Sequence, residues 1–288
     1  MIFKKVALIS KPNDADVAET LGAVIGYLSK NKLNITVDAA ASSMIDTSGC
    51  NVAEIQDIKE DTDLAIIVGG DGTLLAAAQH LAPLGIPICG INRGRLGFLV
   101  DISPKEITAA LDGILNGKFT LEERIALQAK VERDGKTVSQ NNSYNDVVVH
   151  CRDAVRLIEL HNKIDGAPLN TLSADGLIVA TPTGSTAYAL SCGGPIIQPT
   201  LDSLVLVPIS PHILSNRPIV VNAKNEIEIM VSKNSRADAV VSFDGHIHFP
   251  LELGDKVTIR KDSAKLKLAQ PLGHDYLDIL RKKLSWSI

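Results

Sequence analysis

Ile66-Ile-Val-Gly-Gly-Asp-Gly-Thr-Leu-Leu75 carries an apolar run through three glycines into a second apolar segment. That pattern reads as a buried strand turning into a helix. In an open α/β sheet, ligands bind where strands end and helices begin. Glycines there allow close backbone approach, and the free N–H groups of the helix start attract anions. The stretch is neither GxxxxGKS/T nor GxGxxG, so neither a Walker loop nor a Rossmann fingerprint applies. Its unusual member is Asp71, a carboxylate placed where phosphates would sit. The repulsion is tolerable if Asp71 takes a proton from a hydroxyl nucleophile or holds a metal ion. The plainer alternative is that it caps the following helix.

Working outward, strands and helices alternate on both sides. Val6–Ile9, Leu33–Val37, Leu64–Val68 and Ile86–Ile91 read as strands. Val17, Leu21, Val24, Ile25 and Leu28 share one helical face, and Val52–Ile58, Thr73–Leu81 and a Pro104-initiated segment to Asn116 read as further helices. Continuous apolar strands divided by helices predict a parallel sheet covered on both faces. From about Arg124 the strands shorten, polar and apolar residues alternate, and Asp-Gly pairs recur at 134–135, 165–166 and 244–245. These are hairpin turns of a mainly antiparallel β domain. The chain thus divides into an α/β domain over residues 1–118 that carries the GGDG turn and a β-rich domain over 119–270. A C-terminal helical tail, residues 271–288, is expected to pack back on the first domain.

A second glycine-containing turn, Ala180-Thr-Pro-Thr-Gly-Ser-Thr-Ala-Tyr-Ala-Leu-Ser191, follows the apolar run Leu177–Val179. Its hydroxyls and backbone N–H groups can surround a polyhydroxylated or phosphorylated ligand, or simply cap a strand–turn–helix. Asn145 and Asp146 head the strand Val147–Val149, where an amide and a carboxylate could grip a ribose or an adenine edge. Asp175-Gly176 precedes the strand feeding the second turn, and Gly90-Ile-Asn-Arg-Gly-Arg-Leu-Gly-Phe-Leu99 should lie beside GGDG.

Composition narrows the function. The 288 residues are 45% apolar and 22% charged, which excludes global disorder. Aromatics make up only 3% and the formal charge is −4, which argues against nucleic-acid and membrane partners. The four cysteines form no CxxC pair, so zinc and disulfide frameworks are not expected and a cytoplasmic enzyme is. The seven histidines show no ligand spacing.

GGDGT at 69–73, GINRGRLGFL at 90–99, Asn145-Asp146 and DGLIVATPTGSTAYALSCGGPI at 175–196 occur in this order, and the combination resembles bacterial NAD kinases. The likeness continues through Ser203–His212 and Arg217-Pro218. It implies transfer of the ATP γ-phosphate to the 2′-hydroxyl of the NAD adenosine ribose, giving NADP. It further implies a divalent cation (Mg or Mn) with the ATP, and a homodimer or homotetramer. By this resemblance Asp71 is the proton acceptor with Gly72 beside the ligand. Asn145 and Asp146 match a pair that contacts the dinucleotide, and Asp175 an aspartate near the nicotinamide half. Thr186, Ala187, Tyr188, Ala189, Leu190 and Ser191 match a loop that encloses it, with Tyr188 a flat contact. Arg156 and His246 match contact positions that vary between members. Ser173 stands where many Gram-negative members have arginine, which opens the choice between NAD and NADH. The metal ligands are not identified by the resemblance. Two other readings fit a GGDG chain: a lipid kinase of the diacylglycerol type, and a non-catalytic dinucleotide sensor.

Overall fold

The computed structural model describes residues 1–11, 15–93, 96–152, 157–213, 215–235 and 237–286. The chain forms two compact units, Met1–Glu123 with Lys265–Ile288, and Arg124–Ala264.

In the first unit, β1 (Lys5–Ser10), β2 (Asn34–Asp38), β3 (Asn51–Ala53), β4 (Leu64–Gly69) and β5 (Ile88–Asn92) form a parallel sheet in the order β3-β2-β1-β4-β5. The end of the last strand of the chain joins it, with Leu268 opposite Ile88. Every residue of β4 is buried, as are five of the six in β1, because helices cover the sheet and leave no wet face. Helix α1 (Ala15–Lys30) buries Val17, Leu21, Val24 and Leu28, successive positions on one face. A short helix, α2 (Ala39–Ser42), follows β2, and α3 (Asp71–Leu81) follows β4. Ser103 and Pro104 open a 3₁₀ turn that leads into α4 (Ile107–Leu115). The C-terminal helix Tyr276–Leu284 belongs to this unit, capped by the Asp275 carboxylate, which accepts from Leu277 N at 2.9 Å. The expected helix over Val52–Ile58 is not formed. Asn51–Ala53 pairs with β2, and only a single 3₁₀ turn, Ile55–Asp57, follows. Seven residues cannot build a stable helix when an open sheet edge offers ladder partners.

The second unit is built mainly of antiparallel strand pairs. Strands β6 (Phe119–Arg133) and β7 (Lys136–Ser143) form a hairpin. Then come β8 (Asp146–Cys151), β9 (Ile158–Ile164), β10 (Ala167–Ala174), β11 (Gly176–Ala180) and the short helix α5 (Tyr188–Ser191). The rest are β12 (Ser203–Ile209), β13 (Ile219–Asn222), β14 (Ile227–Val231), β15 (Ala239–Phe243), β16 (Ile247–Leu251) and β17 (Lys256–Pro271). One sheet runs β13-β12-β11-β8-β15-β16, and the other aligns β10-β9-β14-β17 with β6 beside β17. Their facing apolar residues, among them Val147, Val149, Leu160, Val179, Leu206, Ile229 and Phe243, form one core. All three Asp-Gly pairs adopt positive φ at both residues, 49° and 76°, 49° and 78°, 49° and 70°. That is the primed turn whose twist matches the strands it joins. Strand β9 begins at Ile158, and Val155 and Arg156 lie outside the described residues.

Candidate functional site

In the first unit the GGDG turn opens α3. Gly70 is the N-cap residue, extended at φ −112° and ψ −179°, so Asp71 does not cap the helix it begins. Its carboxylate faces the loop after β5 instead. Oδ2 accepts from Phe98 N at 2.8 Å, and Oδ1 from Leu99 N at 3.0 Å and Val100 N at 3.1 Å. A carboxylate has about four acceptor lobes, so three amides fix its position and leave one open on Oδ2. Gly97 is required here. A Cβ on it would collide with Asp71 Oδ1 and lie 2.8 Å from Val100 O. Gly70 and Gly72 are different: a Cβ on either meets nothing within 4 Å. Both line a cavity of about 690 Å³ together with Ser10, Lys11, Asp38 and Thr73. The folded chain alone gives no steric reason for glycine at these two positions; an object that approaches the backbone closely does.

In the second unit a cavity of about 450 Å³ is lined by Asn145, Asp146, Asp175, Ala187, Tyr188 and Asp244, with Val148, His150 and Ser242 behind them. The segment Tyr144–Asp146 is held from two sides. Asp244 accepts from Tyr144 N (2.9 Å to Oδ2), Asn145 N (2.7 Å to Oδ1) and Asp146 N (3.2 Å to Oδ1). From the other side Thr181 donates its hydroxyl to Tyr144 O at 2.6 Å and its N–H to Asn145 O at 2.9 Å. Gly184 packs on Asn145 so closely that a Cβ would collide with the Asn145 carbonyl. The TPTG stretch is therefore the wall that seats Asn145 and Asp146. Asp146 is 5% exposed. Burial, and then the neighbouring Asp244 carboxylate, push its carboxyl up to about 7. Burial likewise raises Asp244, opposed by the three N–H groups it accepts. One cavity with two closely spaced acids offers hydrogen-bond acceptors and, near neutrality, a donor to a polyhydroxylated ligand.

Of the residues singled out from sequence, Asn145, Asp146, Asp175, Ala187 and Tyr188 meet at this cavity. Tyr188 is 47% exposed, an open ring face at its rim. The rest of the Thr186–Ser191 loop is not brought there as side chains. Ala189 is fully buried beside Val148 and Ile178, Thr186 donates its hydroxyl to Thr183 O, and Leu190 and Ser191 are absent from the lining. Ser173 lines a separate cavity with Glu159 and His212. His246 is exposed, its Nδ1 within 3.0 Å of Asp244 O. Arg156 lies outside the described residues. Two residues escaped the sequence reading. Asp244 was visible only as half of a turn, and Asp38 lay one residue past the strand read over Leu33–Val37.

Residues 6–119 match the family described as ATP-NAD kinase N-terminal domain, and residues 144–270 the ATP-NAD kinase C-terminal domain. The chain is 46% identical over 286 residues to a NAD kinase of Methylococcus capsulatus, covering 99% of this chain and 98% of that protein. It is 42% identical over 284 residues to a NAD kinase of Colwellia psychrerythraea, covering 99% and 97%. Among solved structures it is similar to yeast NADH kinase complexed with NADH, with a TM-score of 0.87 and 25% identity over 99% of this chain and 89% of that one. It is also similar to a NAD kinase from Archaeoglobus fulgidus in complex with ATP, with a TM-score of 0.74 and 27% identity over 98% and 100%. With both domain families matched in order and full-length relatives at this identity, the chain belongs to the NAD kinase family.

Proposed function

We propose that the protein transfers the γ-phosphate of ATP to the 2′-hydroxyl of the adenosine ribose of NAD, giving NADP and ADP. The observation that carries this reading is the fixed Asp71 carboxylate, with one acceptor lobe left at a glycine turn suited to anions. The hydroxyl oxygen attacks Pγ, the bond from Pγ to the bridging oxygen breaks, and the hydroxyl proton passes to Asp71. Phosphoryl transfer asks mainly for positioning and charge stabilisation, which glycine amides supply. The acid-lined cavity of the second unit is assigned to the dinucleotide, with Asp146, Asn145 and Asp175 toward its hydroxyls and amide and Tyr188 against a ring.

Among the described residues no three His, Cys, Asp or Glu side chains converge to hold a metal ion. A divalent cation would be carried on triphosphate oxygens and water, with the Thr73 hydroxyl at the cavity wall as a protein oxygen. When bound, such a cation neutralises charge on the phosphates. The compartment assigned is the cytoplasm, where cysteines stay reduced. No helix of the described residues is long and apolar enough to cross a membrane. A homodimer or homotetramer is proposed on the apolar edge strand β13, where Ile219 and Val220 are exposed. The lipid-kinase and sensor readings are not favoured: full-length relatives are NAD kinases, and a sensor gives Asp71 no task. The test is 2′-phosphorylation of NAD and NADH in parallel with ATP and Mg²⁺. NADP or NADPH is expected, and no product from either overturns the reading.

A further inference from the structure

The parallel sheet of the first unit reverses its strand order between β1 and β4. At such a switch point the two outgoing loops diverge and open a crevice beyond the carboxyl ends of the strands. The 690 Å³ cavity lies there: Ser10 ends β1 and Lys11 follows it, Asp38 ends β2, Gly70 and Gly72 follow β4, and His80 comes from α3. Its size is that of a small-molecule site. Lys11 and the first N–H groups of α3 suit phosphates. Asp38, two strands from the glycine turn, stands about 10 Å across the sheet, a span that a nucleotide bridges.

Asp38 is 6% exposed yet lines this cavity. Burial pushes its carboxyl upward; the Ala40 N–H opposes that, Glu54 adds to it, and the Ala39 N–H opposes it again. A carboxylate kept at the end of the second strand of a 3-2-1-4-5 sheet occupies the place from which an acid grips a ribose hydroxyl in dinucleotide folds. The sequence carried no GxGxxG to announce it, because here the phosphate turn follows β4, on the other side of the switch point from β2.

We propose that Asp38 reads the ribose of the nucleoside triphosphate donor, accepting hydrogen bonds from its 2′,3′-diol, and so makes the enzyme select ribonucleotides. This rests on the kinase reading above and goes beyond it by giving the donor's sugar a named partner. A deoxy donor leaves the buried acid short of a hydroxyl, a loss of about 10–100-fold for a hydrogen bond to a charged group.

The test compares ATP, 2′-deoxy-ATP and 3′-deoxy-ATP with Mg²⁺ on wild type, Asp38→Asn and Asp38→Ala. Calorimetric binding is read alongside kcat/KM. Wild type is expected to favour ATP over at least one deoxy donor by about 10–100-fold. Asp38→Ala should lose that preference by weakening ATP alone, with the KM for NAD and the binding of that deoxy donor unchanged. Deoxy-donor binding therefore also reports that the variant is folded. Equal use of all donors by wild type overturns the proposal, as does an equal loss of every donor in both variants. Absence of turnover with normal, ribose-selective ATP binding would count against the kinase reading and leave the role of Asp38 supported.

Discussion

Asp71 in the first unit gathers the amides of Phe98, Leu99 and Val100, and Asp244 in the second gathers those of Tyr144, Asn145 and Asp146. Each carboxylate thus pins three successive N–H groups of a segment remote in sequence. The surroundings differ. Asp71 begins a helix whose neighbouring glycines face open space. Asp244 sits in a tight turn beside a second acid, and its hydrogen bonds hold that acid's segment in place. The same device presents a reactive group in one region and braces a binding wall in the other. Hydrogen-bond geometry alone does not separate the two roles; what lies beyond the carboxylate does.

The sharpest way to break this comparison is to make the same substitution twice. Asp71→Asn should cut kcat about 10²–10⁴-fold by removing the proton acceptor. Asp244→Asn keeps one oxygen for the Asn145 and Asp146 amides and should hold kcat within about tenfold of wild type. Each sets an amide NH2 against one backbone N–H and should cost about 1–2 kcal/mol of stability. Steady-state kinetics with urea unfolding checks both, and the comparison fails if the two variants lose turnover alike.

Truncation comes next. Asp244→Ala leaves three N–H groups without their acceptor and should destabilise by about 3 kcal/mol, read from the urea midpoint. Then comes pH. Burial, and then the Asp244 carboxylate, push the folded Asp146 carboxyl from the usual aspartate value near 3.8 up to about 7. Between those values the native state binds more protons than the unfolded chain, so the stability from this group is present below about pH 4 and lost as pH rises through about 7. Asp146→Asn removes this dependence. Wild type should lose roughly 2–4 kcal/mol relative to the variant across that window, and parallel pH profiles of the two unfolding free energies would reject the shift. The smallest effect belongs to Tyr188→Ala: a KM for NAD raised about tenfold by the lost ring contact, with stability unchanged within about 0.5 kcal/mol.

Much of this was legible in the chain because it is local. The GGDG turn announces itself through glycine and a flanking apolar strand, and the three Asp-Gly hairpins through the one dipeptide that accepts positive φ twice. Asn145, Asp146 and Asp175 were found as polar residues at strand ends, and they do meet. Asp244 was not found, because its partners lie about a hundred residues earlier and only strand register brings them to it. Asp38 was missed for the same reason: its meaning comes from the strand order. Val52–Ile58 was misread as helix because a short apolar run cannot disclose a waiting edge strand. Ala189 shows the limit of matching a loop as a block, since the middle of that block is core.

The bonds from Asp244 to Tyr144–Asp146 also set a timetable. They close a loop of about a hundred residues, the kind of contact that slows folding because its entropy is lost before the contact forms. On a ribosome the Asn145-Asp146 segment emerges early and must wait for residue 244 before its wall is braced. The first unit waits longer still, since its sheet and C-terminal helix draw on Lys265–Ile288. A chain that stopped before Lys265 would lack the last strand beside β5, so synthesis of that late segment itself acts as a checkpoint on competence.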